Sequence, residues 1–261
     1  MRSRAETYSR LLHTQADLSF DLEQMFFRMA PNWISARRIL DFGSGDGYYT
    51  AKLARLYPEK HFTCVESNAS LVEVGRSSVR EANVSFAIGS FDELEFDEPY
   101  DFVFARHAVS YLVDRDAFMT WVTRHIRTSG EVLVVDADDT AFCVVPRLPL
   151  VEGGNEEFKD GLEADGGNRD LVSRLPAEWA QHGFSHTFTR SLIVHSEILQ
   201  RREMVAEFMR CVAEWDHGSP LPSEVVSEID GWAANSASYL QYGMFGSLFR
   251  KENELCQPHK D

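Results

Sequence analysis

The chain has no run of about 18 apolar residues, so no segment reads as a membrane-spanning helix. Met1-Arg-Ser-Arg-Ala-Glu6 is followed by no apolar leader core, which argues against secretion. The four cysteines, Cys64, Cys143, Cys211 and Cys256, show neither C-x-x-C nor metal-ligand spacing. A disulfide framework is therefore not expected, and a cytoplasmic location fits. His182, His186 and His195 stand near no acid or cysteine pattern, so no metal site is expected. No G-x-S-x-G is present, which removes support for a hydrolase triad. Basic residues are scarce: 26 Lys and Arg face 41 Asp and Glu, a formal net charge of −15. Nucleic-acid binding relies on cations that neutralise phosphates, so nucleic acid is excluded as a partner. A neutral or cationic small molecule suits the field better, although solubility alone also accounts for an acidic surface.

What is present is a chain of 261 residues, 44% of them apolar, enough for one sizeable α/β domain. The apolar run Arg38-Ile-Leu40 leads into Asp41-Phe-Gly-Ser-Gly-Asp-Gly47, and Tyr48 to Ala54 opens a helix behind it. Three alternating glycines let a strand turn sharply and let a ligand approach main-chain N–H groups. The following helix N-terminus offers free donors to that ligand. His61-Phe-Thr-Cys-Val-Glu66 is a second strand, ending in an acid 19 residues after Gly47. A carboxylate there can accept both hydroxyls of a ribose. Tyr48-Tyr-Thr50 replaces the G-x-x-G continuation of a dinucleotide turn, which leaves a nucleoside without a pyrophosphate.

These stretches resemble the class I S-adenosylmethionine-dependent methyltransferases, over about residues 35–140. The resemblance implies a doubly wound, seven-stranded, mostly parallel sheet of Rossmann-like type, with the last strand antiparallel between the fifth and sixth. It implies S-adenosylmethionine as cofactor, with Asp41, Gly43, Ser44 and Gly45 around its methionine part and Glu66 with Ser67 at its ribose. Gly89-Ser-Phe-Asp-Glu-Leu94 sits where the family places its adenine turn. Many relatives have Asp directly after that glycine; here Ser90 stands there, so Ser90, the Phe91 backbone and Asp92 share the adenine role. Tyr100-Asp-Phe-Val-Phe-Ala105 followed by Arg106-His-Ala-Val-Ser-Tyr-Leu112 matches the fourth strand and the loop under the cofactor.

Alternating patterns extend this organisation. Helices are expected at Leu18–Met29, 47–57, 69–81, 114–127, 171–182, 197–215 and 223–238. Strands are expected at 37–42, 61–66, 84–88, 100–105, 130–136, 185–195 and 242–249. The helical pair before the last strand is extra. The expected divisions are an N-terminal helical lid (1–34), a cofactor core (35–140), a substrate loop (141–170) and C-terminal strands with a helical insertion (171–261). The loop assignment rests on residues 151–170, which hold five glycines and seven acids after the fifth strand.

Methyl transfer needs orientation and a dry pocket, and a base only if the nucleophile begins protonated. His107, Tyr111 and Asp138 are the candidate catalytic residues, on loops after strands four and five. His107 also reads as a neutral residue bonded to backbone under the adenine. Arg106 is a cofactor-side candidate, as a carboxylate clamp or an ion-pair partner. Tyr8, Tyr49, Asp136 and Asp139 are the substrate candidates; Tyr8 equally reads as part of a frayed terminus. Three readings stay open: transfer of a methyl group to a small, specialised metabolite; another use of the sulfonium, such as an intramolecular displacement releasing methylthioadenosine; and non-catalytic binding of the cofactor. A monomer or homodimer is expected.

Overall fold

Ile39, Leu40 and the run Phe102 to Ala105 are buried whichever face they point to, as in central parallel strands covered by helices on both sides. The computed structural model describes residues 3–217 and 220–253, so Cys256 lies outside the described residues. In chain order the elements are α1 (Arg4–Met29), β1 (Arg38–Phe42), α2 (Tyr48–Leu56), β2 (His61–Glu66), α3 (Ala69–Ser78) and β3 (Val84–Ile88). They continue with β4 (Tyr100–Arg106), α4 (Arg115–His125), β5 (Ile126–Val145), α5 (Pro149–Ala164) and α6 (Leu175–Gln181). The last are β6 (Phe184–His195), α7 (Leu199–His217), α8 (Ser223–Ala234) and β7 (Tyr239–Lys251). The sheet order is β3-β2-β1-β4-β5-β7-β6. β7 runs antiparallel between β5 and β6, and the other pairs are parallel. The expected fold class, with the last strand antiparallel between the fifth and sixth, is therefore observed.

The pleat divides the core in two. Ile39, Phe102, Phe104, Leu133 and Val135 join the cluster under α1, with Phe26, Phe27 and Trp33. Leu40, Val103, Ala105, Val132 and Val134 face the other way, toward Phe118, Trp121 and Trp179. Asp41 shares parity with Ile39, so it points to the α1 side. The register of β4 on β5 ends at Arg106 opposite Val135, which brings the next residues, His107 and Asp136, side by side.

Two expectations are corrected. The N-terminal helix is one element of 26 residues from Arg4, rather than a helix that begins at Leu18. A capping box starts it: Ser3 Oγ accepts from Glu6 N and Glu6 Oε2 accepts from Ser3 N. No breaker follows until Pro31. The supposed substrate loop at 141–170 is the end of β5 followed by helix α5. Glycine costs about 1 kcal/mol per helical position, but Val151, Gly154, Phe158 and Leu162 recur at helical spacing. Gly154 and Leu162 are buried and the helix packs on α7 and α8, so tertiary burial overrides the composition.

Candidate functional site

The site forms where β1, β2 and β4 end. Gly43, Gly45 and Gly47 all adopt left-handed backbone conformations, with φ of 70°, 59° and 72°. The turn is tied back to β2: Gly43 N and Ser44 N donate to Val65 O at 2.9 and 3.1 Å. At Gly43 a Cβ would lie 2.5 Å from Ala108 Cβ, so only glycine lets this turn pass beside the loop after β4.

Glu66 joins the strand end to the turn. Its Oε2 accepts from Gly45 N at 3.0 Å and its Oε1 from Asn68 N at 2.8 Å, with Ser67 Oγ at 3.4 Å. A carboxylate has about four acceptor positions, so Glu66 is aimed by backbone and can still accept from ligand hydroxyls. Gly89 N donates to Glu66 O, which sets the turn after β3 beside it. In that turn Ser90 N donates to Glu93 Oε2 at 3.0 Å, while Phe91 packs on Phe42 and Phe118.

Helix α1 crosses this turn. Ser9 Oγ donates to Asp46 Oδ2 at 2.5 Å, and His13 Nε2 lies 2.8 Å from the same oxygen. Leu12 packs directly on the position a Gly45 side chain would take. Tyr8 packs at a tilt against Trp215 of α7, and burial with the Glu66 and Asp46 carboxylates pushes its phenol up to about 12. Arg10 pairs with Glu207 and Glu214, fastening α1 to α7.

Below α1, Arg106 and Glu23 form a buried ion pair, their side chains 7% and 0% exposed. Arg106 Nε and Nη2 lie 2.8 and 2.9 Å from the two Glu23 oxygens. Nη2 also donates to Ser19 Oγ at 3.1 Å, and the guanidinium covers the Tyr49 ring at 4.6 Å. Burial opposes both charges, yet each partner sustains the other: Glu23 stays below its ordinary value and Arg106 above. Of the two roles read for Arg106, the ion pair is the one formed here.

Asp41 is buried, accepts from Thr50 Oγ1, and has its carboxyl pushed up to about 7 by burial. His107 holds φ 50°, a conformation uncommon outside glycine, with its N donating to Val135 O at 2.8 Å. Its Nδ1 is 3.5 Å from Asp136 Oδ1, and its buried Nε2 has no partner. Burial, then the neighbouring Arg106, holds the imidazole below its ordinary value against the pull of Asp136. Asp136 stays below its own ordinary value because His107 and Arg169 outweigh burial. The pair is thus a carboxylate and a neutral imidazole.

One cavity gathers most of the expected residues. Asp41, Gly43, Ser44, Gly45 and Glu66 line it, together with Tyr8, Tyr49, Arg106, His107 and Tyr111. Ser67, Ser90, Phe91, Asp136, Asp138 and Asp139 are off its wall. Asp136 stands behind His107. Asp138 accepts from Thr140 N and Oγ1, near Ser191, and Asp139 pairs with Arg169. Both lie where β5 bulges against β7. Leu12, Gln15 and Asp46 also line the cavity and were not anticipated. Gln15, Ser19 and Glu23 are spaced i, i+4, i+8, a polar stripe in an otherwise apolar helix face that could have flagged α1 as a site element. Among the described residues no cluster of three or more metal-ligating side chains occurs, and no helix is long and apolar enough to cross a membrane.

Residues 39–130 match a family model described as a methyltransferase domain. The malonyl-[acyl-carrier protein] O-methyltransferase of Bacillus cereus is 25% identical over 129 residues, 49% of this chain and 48% of that protein. A ubiquinone/menaquinone biosynthesis C-methyltransferase of Vibrio vulnificus is 30% identical over 112 residues, 41% of this chain and 43% of that protein. In both cases the match spans less than half of the relative's length. Among solved structures, a sarcosine/dimethylglycine methyltransferase of Galdieria sulphuraria, itself described as putative, superposes with a TM-score of 0.54 at 18% identity, covering 92% of this chain and 86% of that one. The (4+2)-cyclase SpnF also superposes, with a TM-score of 0.54 at 16% identity, covering 83% and 74%. These two likenesses concern the fold. Residues 39–130 form a methyltransferase domain, and over that stretch the chain is similar to the class I S-adenosylmethionine-dependent methyltransferases.

Proposed function

We propose that this chain binds S-adenosylmethionine at the glycine turn and transfers its methyl group to a small-molecule acceptor. The observation that carries the reading is Glu66, oriented by the turn's own Gly45 N–H at 3.0 Å, in the position of a ribose acceptor. The residues fit the cofactor: a turn of left-handed glycines, an aimed carboxylate, and a buried Ser44 Oγ without a partner. The cofactor supplies an electrophilic methyl on a positively charged sulfur. The chain's share is to hold the nucleoside through Glu66, to keep Asp41 and Asp46 near that positive charge, and to exclude water with α1. A net charge of −15 favours a neutral or cationic acceptor over a polyanion. A specialised metabolite remains the expected acceptor type; the two relatives above are named for malonyl-carrier and quinone chemistry.

The test is incubation with S-adenosylmethionine, with and without candidate acceptors, read by mass spectrometry. S-adenosylhomocysteine that forms only with an acceptor supports methyl transfer. Methylthioadenosine without acceptor supports a non-methylating use of the sulfonium, since a fold by itself does not fix the chemistry. Tight binding with neither product supports a cofactor sensor.

A further inference from the structure

We propose that His125 is a positioning residue for the turn after β3, and that it holds this turn only while its ring carries two protons. The proposal rests on the cofactor reading above, with the adenine of S-adenosylmethionine at that turn, and adds a control of the site by pH. The turn is fixed at both ends. At its start Gly89 N donates to Glu66 O, which ties it to β2 beside the ribose carboxylate. At its end Trp121 Nε1 donates to Leu94 O at 2.7 Å, and His125 Nε2 lies 2.9 Å from Glu95 Oε2. Trp121 and His125 are one helical turn apart, so this end of the turn rests on the last turn of α4.

Hydrogen-bond chemistry sets the protonation of the ring. His125 Nδ1 is 2.8 Å from Trp121 O, and a carbonyl oxygen only accepts, so Nδ1 carries hydrogen. Nε2 faces Glu95, whose other oxygen receives Arg124 Nη1 at 3.0 Å. Glu95 is therefore a carboxylate and also only accepts. Both ring nitrogens donate, and the ring is an imidazolium. The C-terminal end of a helix favours a cation, which agrees with this charge. Phe96 packs edge-on against the ring at 5.7 Å and Trp121 lies at 4.7 Å, holding it in this orientation.

The charged groups about the ring are Glu95 on the loop after β3, Arg124 on α4 and Lys251 on β7, whose Nζ donates to Thr123 O and Ile126 O. Tyr100 of β4 lies beyond Phe96. Glu95 is the anion among them. When the Nε2 proton leaves, a donor becomes a lone pair facing that carboxylate, and attraction turns to repulsion. The anchor is thus present in acid and lost as pH rises. A turn ordered in only part of the population lowers apparent cofactor affinity by that fraction.

The test uses the full chain, His125→Gln and Glu95→Ala. Glutamine offers an amide donor to Glu95 that does not titrate. Glu95 is 69% exposed, so its removal spares the core and keeps the test open if His125→Gln fails to fold. ¹⁵N NMR at pH 6 should show hydrogen on both nitrogens of His125. Between pH 6 and pH 9 the unaltered chain should lose amide-exchange protection at Ser90 and Glu93, which are bonded within the turn. Over the same range its S-adenosylmethionine affinity, by calorimetry, should fall roughly fivefold more than that of either variant, as for a half-exposed charged hydrogen bond. His125→Gln should keep the turn protected at pH 9, and Glu95→Ala should be loosened equally at both pH values. A singly protonated ring at pH 6, or an unaltered chain whose pH profile parallels both variants, would overturn the proposal. No cofactor binding at either pH defeats the cofactor reading itself, whereas normal binding with parallel profiles defeats only this inference.

Discussion

Replacing Arg106 by Met tests whether the ion pair under α1 holds the site together. Glu23 is fully buried and receives two guanidinium bonds at 2.8 and 2.9 Å, with Ser19 Oγ as its other partner. Removing the cation leaves a carboxylate in apolar surroundings, a change that costs about 3–5 kcal/mol in comparable buried pairs. At about 2–4 °C per kcal/mol for a domain of this size, Tm should fall by roughly 6–20 °C. The double replacement Glu23→Leu with Arg106→Met should recover most of that loss, because apolar groups of similar volume need no counter-charge.

The pH dependence gives a second, independent reading. In the unaltered chain Glu23 is held below its ordinary value, so its contribution is present above the unfolded pKa and is lost as pH falls through the folded one. In Arg106→Met the sign reverses. Burial without the cation raises the Glu23 pKa, so the variant is least impaired in acid and its deficit grows as pH rises above about 4.3, the unfolded value. Urea denaturation between pH 4 and 8 measures both curves. A single variant within 1 kcal/mol of the unaltered chain, with a parallel pH profile, would refute the reasoning.

Glu66→Ala should weaken S-adenosylmethionine binding by about 2 kcal/mol or more, roughly thirtyfold, by calorimetry on a folded variant; unchanged affinity removes Glu66 from the site. Leu12→Ala should tighten cofactor binding, because Leu12 packs on the Gly45 backbone that the ligand must approach; weaker binding would make Leu12 part of the pocket floor instead. Asp41, with its carboxyl near 7, should bind one proton on folding across the range from about 4 to 7. Its contribution is complete below the unfolded pKa and fades as pH rises through 7, so Asp41→Asn should flatten the stability profile there. Gly161→Ala should raise stability by about 0.5–1 kcal/mol, since nothing lies within 4 Å of the added Cβ; a loss would mean α5 is not the helix described.

The sheet was legible because its signals are local. The first three strands are short apolar runs that end at a glycine or an acid, and β2 and β3 match their expected limits of 61–66 and 84–88. The turn 41–47 and Glu66 were readable for the same reason: a backbone that must turn left three times needs glycine at those positions. Helix α5 was not legible. Its three glycines and five acids describe a solvated loop, and only the packing of Leu162 and Gly154 against other elements reverses that preference.

The site's polar wiring was legible in pieces but not as pairs. His107 and Asp136 each stood out, yet nothing in a linear chain says that the residues after β4 and β5 share a register position. Asp138 and Asp139 carry the same charge as Asp136 and sit only two and three residues away. They differ in their partners: Asp138 accepts from Thr140 and Asp139 pairs with Arg169, at the point where β5 leaves its register with β7. The same reasoning explains Arg106. A guanidinium at the end of β4 reads as a ligand clamp until α1 sets Glu23 against it. One continuous helix therefore does two things: it silences the cavity's cation, and it lays Ser9, Leu12 and His13 across the glycine turn. The electrostatics of the pocket and its access are set by the same element, so a change that loosens α1 should alter both together.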